Sequence, residues 1–416
     1  MSKFNKNQRS LMSVHMLRVV LEIFTSTFLT SHIVSINPDN VLGTGLLNIG
    51  IFYISQFLVY SFIYLFISHF VDKSNRVSFL RIGIFVNTCL LIALVFWGEA
   101  ISNWIVLAGA LCGFSDAFYY SSYLVMKNEL TNRGNMDKFN ILIIILTNTI
   151  KIVVPTILGF LIDASSYSNI AIYIVAITIV QFALSFLIKS KRPENSKFEL
   201  KPYFNYLKQN PEVRNKIKYT YINASLVGPK NTYKIIVVIL TIFTFKTNLS
   251  LGLFTSIFSV LTMTLLLLYK KVDGSPKVNK FFVYLFIGML PVFSCLALVI
   301  WLNKITLVIY NLCLTIAIYF SEYFGSMERD AIIKNIGKKE YIAEHQFVVE
   351  TIQNTSKILS YALFIIVGLI SNIVAFKILL MVLILANPVK YMVMYKQRQI
   401  RKDFDIQNMQ TKLEKQ

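Results

Sequence analysis

The chain has 416 residues, of which 55% are hydrophobic and only 15% charged, with a mean hydropathy of +0.60. So little charge excludes a water-soluble protein of this length, and apolar runs of about 20 residues, enough for a helix to cross a bilayer, recur from end to end. A net charge of +20 raises nucleic acid as a partner, but the placement of that charge along the chain argues against it.

In chain order the apolar runs predict twelve helices, over 10–36, 43–68, 79–98, 102–127, 139–163, 169–189, 217–245, 250–270, 280–301, 304–329, 343–371 and 373–395. Met1 to Ser10 is basic, but the run behind it is too long for a secretory signal and lacks a small-residue cleavage site, so it reads as a retained first helix. The longest polar segment separates a six-helix bundle over 1–190 from a second over 217–395. This linker, 191–216, interleaves lysines with Tyr203, Phe204 and Tyr206. It predicts a short interfacial helix around 202–209, with aromatics at headgroup level and lysines in water. Residues 396–416 form a basic tail.

Twelve spans put both termini on one side of the membrane. Of the 41 Lys and Arg, 33 fall on that side and only Lys246, Lys304 and Lys377 on the other. The positive-inside rule then sets both termini and the linker in the cytoplasm of a multi-pass cell-membrane protein. The charge is a topology signal. The same loops hold anionic lipid headgroups, at roughly 1 kcal/mol per basic residue, and no nucleic acid is expected. Cys89, Cys112, Cys295 and Cys313 all fall inside spans without metal-like spacing and read as small packing residues. Richness in Ile, Lys, Asn and Phe fits an AT-rich bacterial genome.

Nine charges lie well inside the predicted spans: Arg18, Lys151, Lys230, Lys234 and Lys357, with Glu22, Asp116, Glu322 and Glu350. Each costs roughly 2.5–3.5 kcal/mol at the bilayer centre, so they are expected to face protein or a water-filled cavity. Arg18 and Glu22, four apart, share a helix face and can pair. Asp116 sits near mid-depth beside Tyr119, Tyr120 and Tyr123, and Tyr319 and Tyr323 flank Glu322. Gly228-Pro229 precedes Lys230 and predicts a helix break, where freed backbone groups can coordinate a substrate.

The chain also repeats itself. Asn148-Thr149-Ile150-Lys151-Ile152 is matched by Asn354-Thr355-Ser356-Lys357-Ile358. Asp72-Lys73-Ser74-Asn75-Arg76-Val77 is matched 201 residues on by Asp273-Gly274-Ser275-Pro276-Lys277-Val278, and Arg18/Glu22 are matched 212 residues on by Lys230/Lys234. Matches in the same order indicate two pseudo-symmetric six-helix bundles. Twelve helices in two halves, with this loop after helix 2, resemble the major facilitator superfamily. Its loop signature, Gly-x-x-x-Asp-Arg-x-Gly-Arg-x, aligns with Ser68 to Val77: Asp72 and Arg76 match, Lys73 keeps the charge, and Ser68 and Asn75 replace the glycines. Two departures stand out. The stretch Gly109 to Gly113 lacks the helix 4 arginine of many proton-coupled members, and Val154-Pro155 replaces the Gly-Pro of drug antiporters.

The resemblance implies a cavity lined by helices 1, 4, 7 and 10, flanked by 2, 5, 8 and 11. The nine charges fall on helices 1, 4, 5, 7, 10 and 11. It also implies a cytoplasmic gating loop of Asp72, Lys73 and Arg76, with Asp273 and Lys277 as repeat equivalents. The expected protein is an all-α polytopic secondary transporter with alternating access. Arg18, Lys151, Lys230, Lys234, Lys357 and Tyr120 are expected at the substrate, and Glu22, Asp116 and Glu322 at the proton. Five bases against four acids favour an anionic or zwitterionic small molecule, lipid or peptide, with export as the expected direction. An ion gradient, most simply of protons, supplies the energy in place of a cofactor, and the chain acts as a monomer. Two alternatives are a multidrug/proton antiporter and a non-transporting sensor or scaffold on the same fold. An enzyme is not expected, since there is no ATP-binding glycine loop and the four histidines have no useful spacing.

Overall fold

A computed structural model describes residues 4–36, 40–71, 76–131, 136–189, 198–273, 279–336 and 341–413. Within them the side chains of 68–71, 128–129, 136–137, 262, 265–273, 319, 322–336, 342–343, 401 and 403–413 fall outside the description. The described residues are helical throughout, with no strand. Backbone N–H and C=O groups in hydrocarbon have no water to bond, so a helix is the economical way to satisfy them.

The first span is α1 (Lys6–Ile23), a π-helical turn (Phe24–Phe28) and α2 (Leu29–Ser35). It is followed by α3 (Leu46–Val71), α4 (Arg76–Trp97), α5 (Ile105–Leu130), α6 (Met136–Ala164) and α7 (Tyr167–Ser185). The linker folds as α8 (Leu200–Gln209). The next span is α9 (Pro211–Ser225) continued by α10 (Val227–Phe245). Then come α11 (Asn248–Asp273), α12 (Lys280–Ile300), α13 (Lys304–Ile336), α14 (Ile342–Ile370), α15 (Ile373–Ile384) and α16 (Ala386–Leu413). Among the described residues nine helical runs are long and apolar enough to span a membrane. One of them, Arg76–Lys127, doubles back as α4 and α5, and α11 and α13 supply two shorter apolar stretches. Every predicted span therefore falls on a helix.

Local chemistry sets several helix starts. Asn5 caps α1 in a capping box with Gln8, and Ser166 caps α7 by accepting from the Asn169 N–H. Pro211 opens α9, where its missing N–H costs nothing.

Contacts divide the chain into two compact units that cross the boundary between the sequence halves. The first comprises Met1–Lys197, Lys234–Val260 and Ile358–Leu379. In it α5 runs against α3 at backbone distance, because a Cβ on Gly109 or Gly113 would overlap the carbonyls of Phe52 and Gln56. Small residues let helices approach this closely in lipid. The same device joins α6 to α11, where Gly159 meets the Asn248 carbonyl and Gly252 the Pro155 carbonyl.

The second unit comprises Phe198–Tyr233, Leu261–Lys357 and Leu380–Gln416. Its core packs Tyr284, Ala317, Phe320, Tyr391 and Met394. It also buries Lys390 and Arg398 of α16, and the Arg398 guanidinium reaches the Tyr284 hydroxyl at 3.4 Å. The twelfth helix thus carries buried bases, where sequence reading places no charge deep in helices 3, 6, 9 or 12.

α8 covers the predicted interfacial stretch, with Lys201 and Lys208 exposed. Its aromatics differ from the expectation. Tyr203 and Leu207 turn into the protein against Ile217, and the Tyr203 hydroxyl meets those of Tyr221 at 2.5 Å and His345 Nδ1 at 2.9 Å. Burial and the Tyr221 hydrogen bond push the Tyr203 phenol well above its ordinary pKa. A tyrosine spaced for the headgroups instead pins the linker to its own bundle.

Candidate functional site

The first unit carries a charge cluster inside an otherwise apolar set of helices. Arg18 on α1 has a side chain only 3% exposed and is ion-paired through Nη2 to Asp116 of α5. Its Nη1 donates to Ser115 Oγ at 3.3 Å. The guanidinium lies 5.0 Å over the Tyr119 ring, a cation–π contact. Asp116 has both oxygens engaged: Oδ1 by Arg18, and Oδ2 by Gln56 Nε2 of α3 at 2.8 Å. The backbone contact between Gly113 and Gln56 sets that register, since it brings the amide one turn from the carboxylate. Burying a charge is tolerable when it is paired and fully hydrogen-bonded, and this pair meets that condition.

Glu22, one turn beyond Arg18, is more open, with a side chain 37% exposed against 15% for Asp116. It lies 3.4 Å from Arg18 Nε and accepts a hydrogen bond from the Tyr120 hydroxyl. Arg18 and Glu22 do meet, as their spacing predicts, but the closer partner of Arg18 is Asp116. Lys151 on α6 is near enough to act electrostatically on Glu22 and on His15. His15 stacks on Tyr123 at 4.1 Å and faces the Tyr119 hydroxyl at 3.4 Å. The helix changes pitch just past Glu22, in the π-helical turn Phe24–Phe28. Such turns recur at functional sites.

Arg18, Glu22, Asp116, Tyr120 and Lys151 are thus brought together. Gln56, Ser115 and His15 join them without having been predicted. Neutral polar residues recur along apolar helices and give no signal of their own. The one available clue was the i, i+3 spacing of His15 to Arg18 and the adjacency of Ser115 to Asp116.

The remaining predicted bases are distributed otherwise. Lys230 and Lys357 belong to the second unit, where Lys357 Nζ donates to Asn354 Oδ1 at 3.2 Å. Lys234, on the same helix as Lys230, belongs to the first unit. Glu350 accepts from Gln346 Nε2 at 3.0 Å. Arg76 starts α4 and is 4% exposed. Asp72, Lys73 and Lys277 lie outside the described residues, as do the side chains of Asp273 and Glu322.

The predicted break in the seventh span is present, at Leu226 between α9 and α10. Its backbone groups are not left for a substrate. The Ser356 hydroxyl of α14 accepts from the Gly228 N–H at 3.1 Å and donates to the Ser225 carbonyl, while Thr232 Oγ1 donates to the Gly228 carbonyl at 2.8 Å. A Cβ on Gly228 would overlap the Ser356 carbonyl, so the residue serves the crossing of two helices.

Among the described residues no group of three or more His, Cys, Asp or Glu converges as a metal ion requires. The sequence model of the Major Facilitator Superfamily matches residues 19–339, most of the chain. The chain belongs to the major facilitator superfamily. A solved structure described as a bacterial homologue of iron transporter ferroportin, in the inward-facing state, superposes with a TM-score of 0.66. It covers 94% of this chain and 98% of that one at 11% identity, a likeness of fold alone. A protein of Bacillus subtilis (strain 168) named "Uncharacterized protein YqgE" is 28% identical over 136 residues, 32% of this chain. The chain matches only 31% of that relative's length. Membership of the superfamily, with this fold and its apolar helices, makes the chain a multi-pass membrane transporter rather than an enzyme.

Proposed function

We propose that this superfamily member is a secondary transporter of an anionic or zwitterionic small molecule, coupled to proton movement through Glu22. The observation that carries the reading is the unequal treatment of the two acids beside Arg18. Asp116 holds Arg18 and Gln56 on separate oxygens, so protonating it would leave a buried arginine with only the 3.4 Å contact to Glu22. Protonating the more open Glu22 leaves the Arg18–Asp116 pair whole and creates no unpaired buried charge. The charges of Arg18, Lys151, Asp116 and Glu22 sum to zero with Glu22 ionised and to plus one with it protonated. Proton and anion therefore favour each other's binding, and the linkage is reciprocal. Carried together they run down an inward proton gradient, the opposite of the export expected from sequence. The strong bias of Lys and Arg to one side supports a monomer in the cell membrane with both termini cytoplasmic and anionic lipid at the basic loops.

Proteoliposomes holding a pH dye and offered a panel of carboxylates, sugar phosphates and short peptides test this. An anion of the panel is expected to drive proton uptake in the parent protein. Glu22→Gln is expected to abolish the proton signal while leaving anion binding measurable. Movement of hydrophobic cations alone, or an unchanged proton signal in Glu22→Gln, would overturn the reading.

A further inference from the structure

The carboxylate at the end of α6 caps a helix that begins 85 residues later. Asp163 Oδ1 accepts from the Asn248 N–H at 3.0 Å and from the Asn248 side-chain amide at 2.9 Å, and Oδ2 accepts from the Leu249 N–H at 2.8 Å. Asn248 and Leu249 are the first residues of α11, whose N–H groups have no acceptor within their own helix. A carboxylate there gains from hydrogen bonds to an ionised acceptor and from the positive end of the helix dipole. Asn248 Oδ1 in turn accepts from Ser31 Oγ of α2 at 2.6 Å. Three helices thus converge on one side chain.

The contact does not end there. Below it α6 and α11 touch backbone to backbone at Gly159 and Gly252, and Thr156 Oγ1 donates to Ser256 Oγ at 2.7 Å. α6 belongs to the first sequence half and α11 to the second, yet this stretch of α11 lies in the compact unit of the first. A transporter that alternates access has to part its halves at one end and then the other, so a junction this close exists in one state only.

We propose that Asp163 is a latch: its charge on the α11 N-terminus holds this end of the bundle shut, and its strength sets how often that end opens. The proposal rests on alternating access, not on the choice of anion or proton. Asp163→Asn keeps the shape but removes the charge and turns an amide toward N–H donors. Asn248→Asp leaves Asp163 intact and sets a second carboxylate against it.

The test is spin-label distance measurement between cysteines placed at the exposed Ala164 and Lys246. It uses the full chain in lipid nanodiscs, with the four native cysteines replaced. No substrate is needed, so its failure is separate from failure of the anion and proton reading. A single short distance is expected for the parent. Each variant is expected to populate a longer distance, raising the open-to-closed ratio about tenfold or more. A distribution unchanged in both folded variants would overturn the proposal. So would lengthening in Asp163→Asn without lengthening in Asn248→Asp, because the charge would then not be the cause.

Discussion

Arg18 shows what a single buried residue commits its neighbours to. Alone it removes the charge that Asp116 faces, and breaking one side of a buried pair costs about 3–5 kcal/mol because the other charge is left behind. Arg18→Ala is therefore expected to lower unfolding midpoints in detergent sharply, and Arg18→Ala with Asp116→Ala to recover most of the loss. A double variant as damaged as the single one would mean that Arg18 acts through packing on Tyr119 instead. Much of this cluster was legible in the sequence, because a charge inside an apolar run is rare enough to mark itself. Gln56 was not, although it holds one of the two Asp116 oxygens. Its partner is sixty residues away on another helix, and nothing local to α3 distinguishes that glutamine from one facing lipid headgroups.

At the scale of the element, the seventh span teaches a similar lesson. Gly228-Pro229 announced a break, and the break exists, but what steadies it is a hydroxyl 128 residues away. Ser356→Ala leaves the Gly228 N–H and the Ser225 carbonyl without that hydroxyl and is expected to cost about 1–3 kcal/mol. Pro229→Ala is expected to stay within about 0.5 kcal/mol, since a proline in the first turn supplies no bond. Thermal unfolding of the two variants side by side decides the matter, and equal losses would return the role to proline. Length and hydropathy made the twelve spans readable, since both are properties of a segment alone. The inward turn of Tyr203 depends on Tyr221 and His345, which are remote in sequence, so composition pointed to the headgroups.

For the whole molecule, the repeats pointed to two bundles of six, and superfamily membership agrees with that architecture. The compact units follow a different line, because packing between helices answers to glycines and caps rather than to chain order. The orientation proposed from the Lys and Arg bias has a direct check. A reporter active only in the cytoplasm should work when fused after Gln416 and fail when fused at Lys246, and the reverse pattern would invert the topology.

The π-helical turn Phe24–Phe28 adds a constraint of phase. Such a turn holds one residue more than an α-helical turn would, and one residue corresponds to about 100° of rotation. Deleting a single residue there would let the helix close into regular pitch with Arg18 and Glu22 undisturbed. Everything beyond would be turned aside, including Ser31, which bonds Asn248. The first helix thus works as a key cut to a fixed count of residues, tolerant of what they are and intolerant of how many.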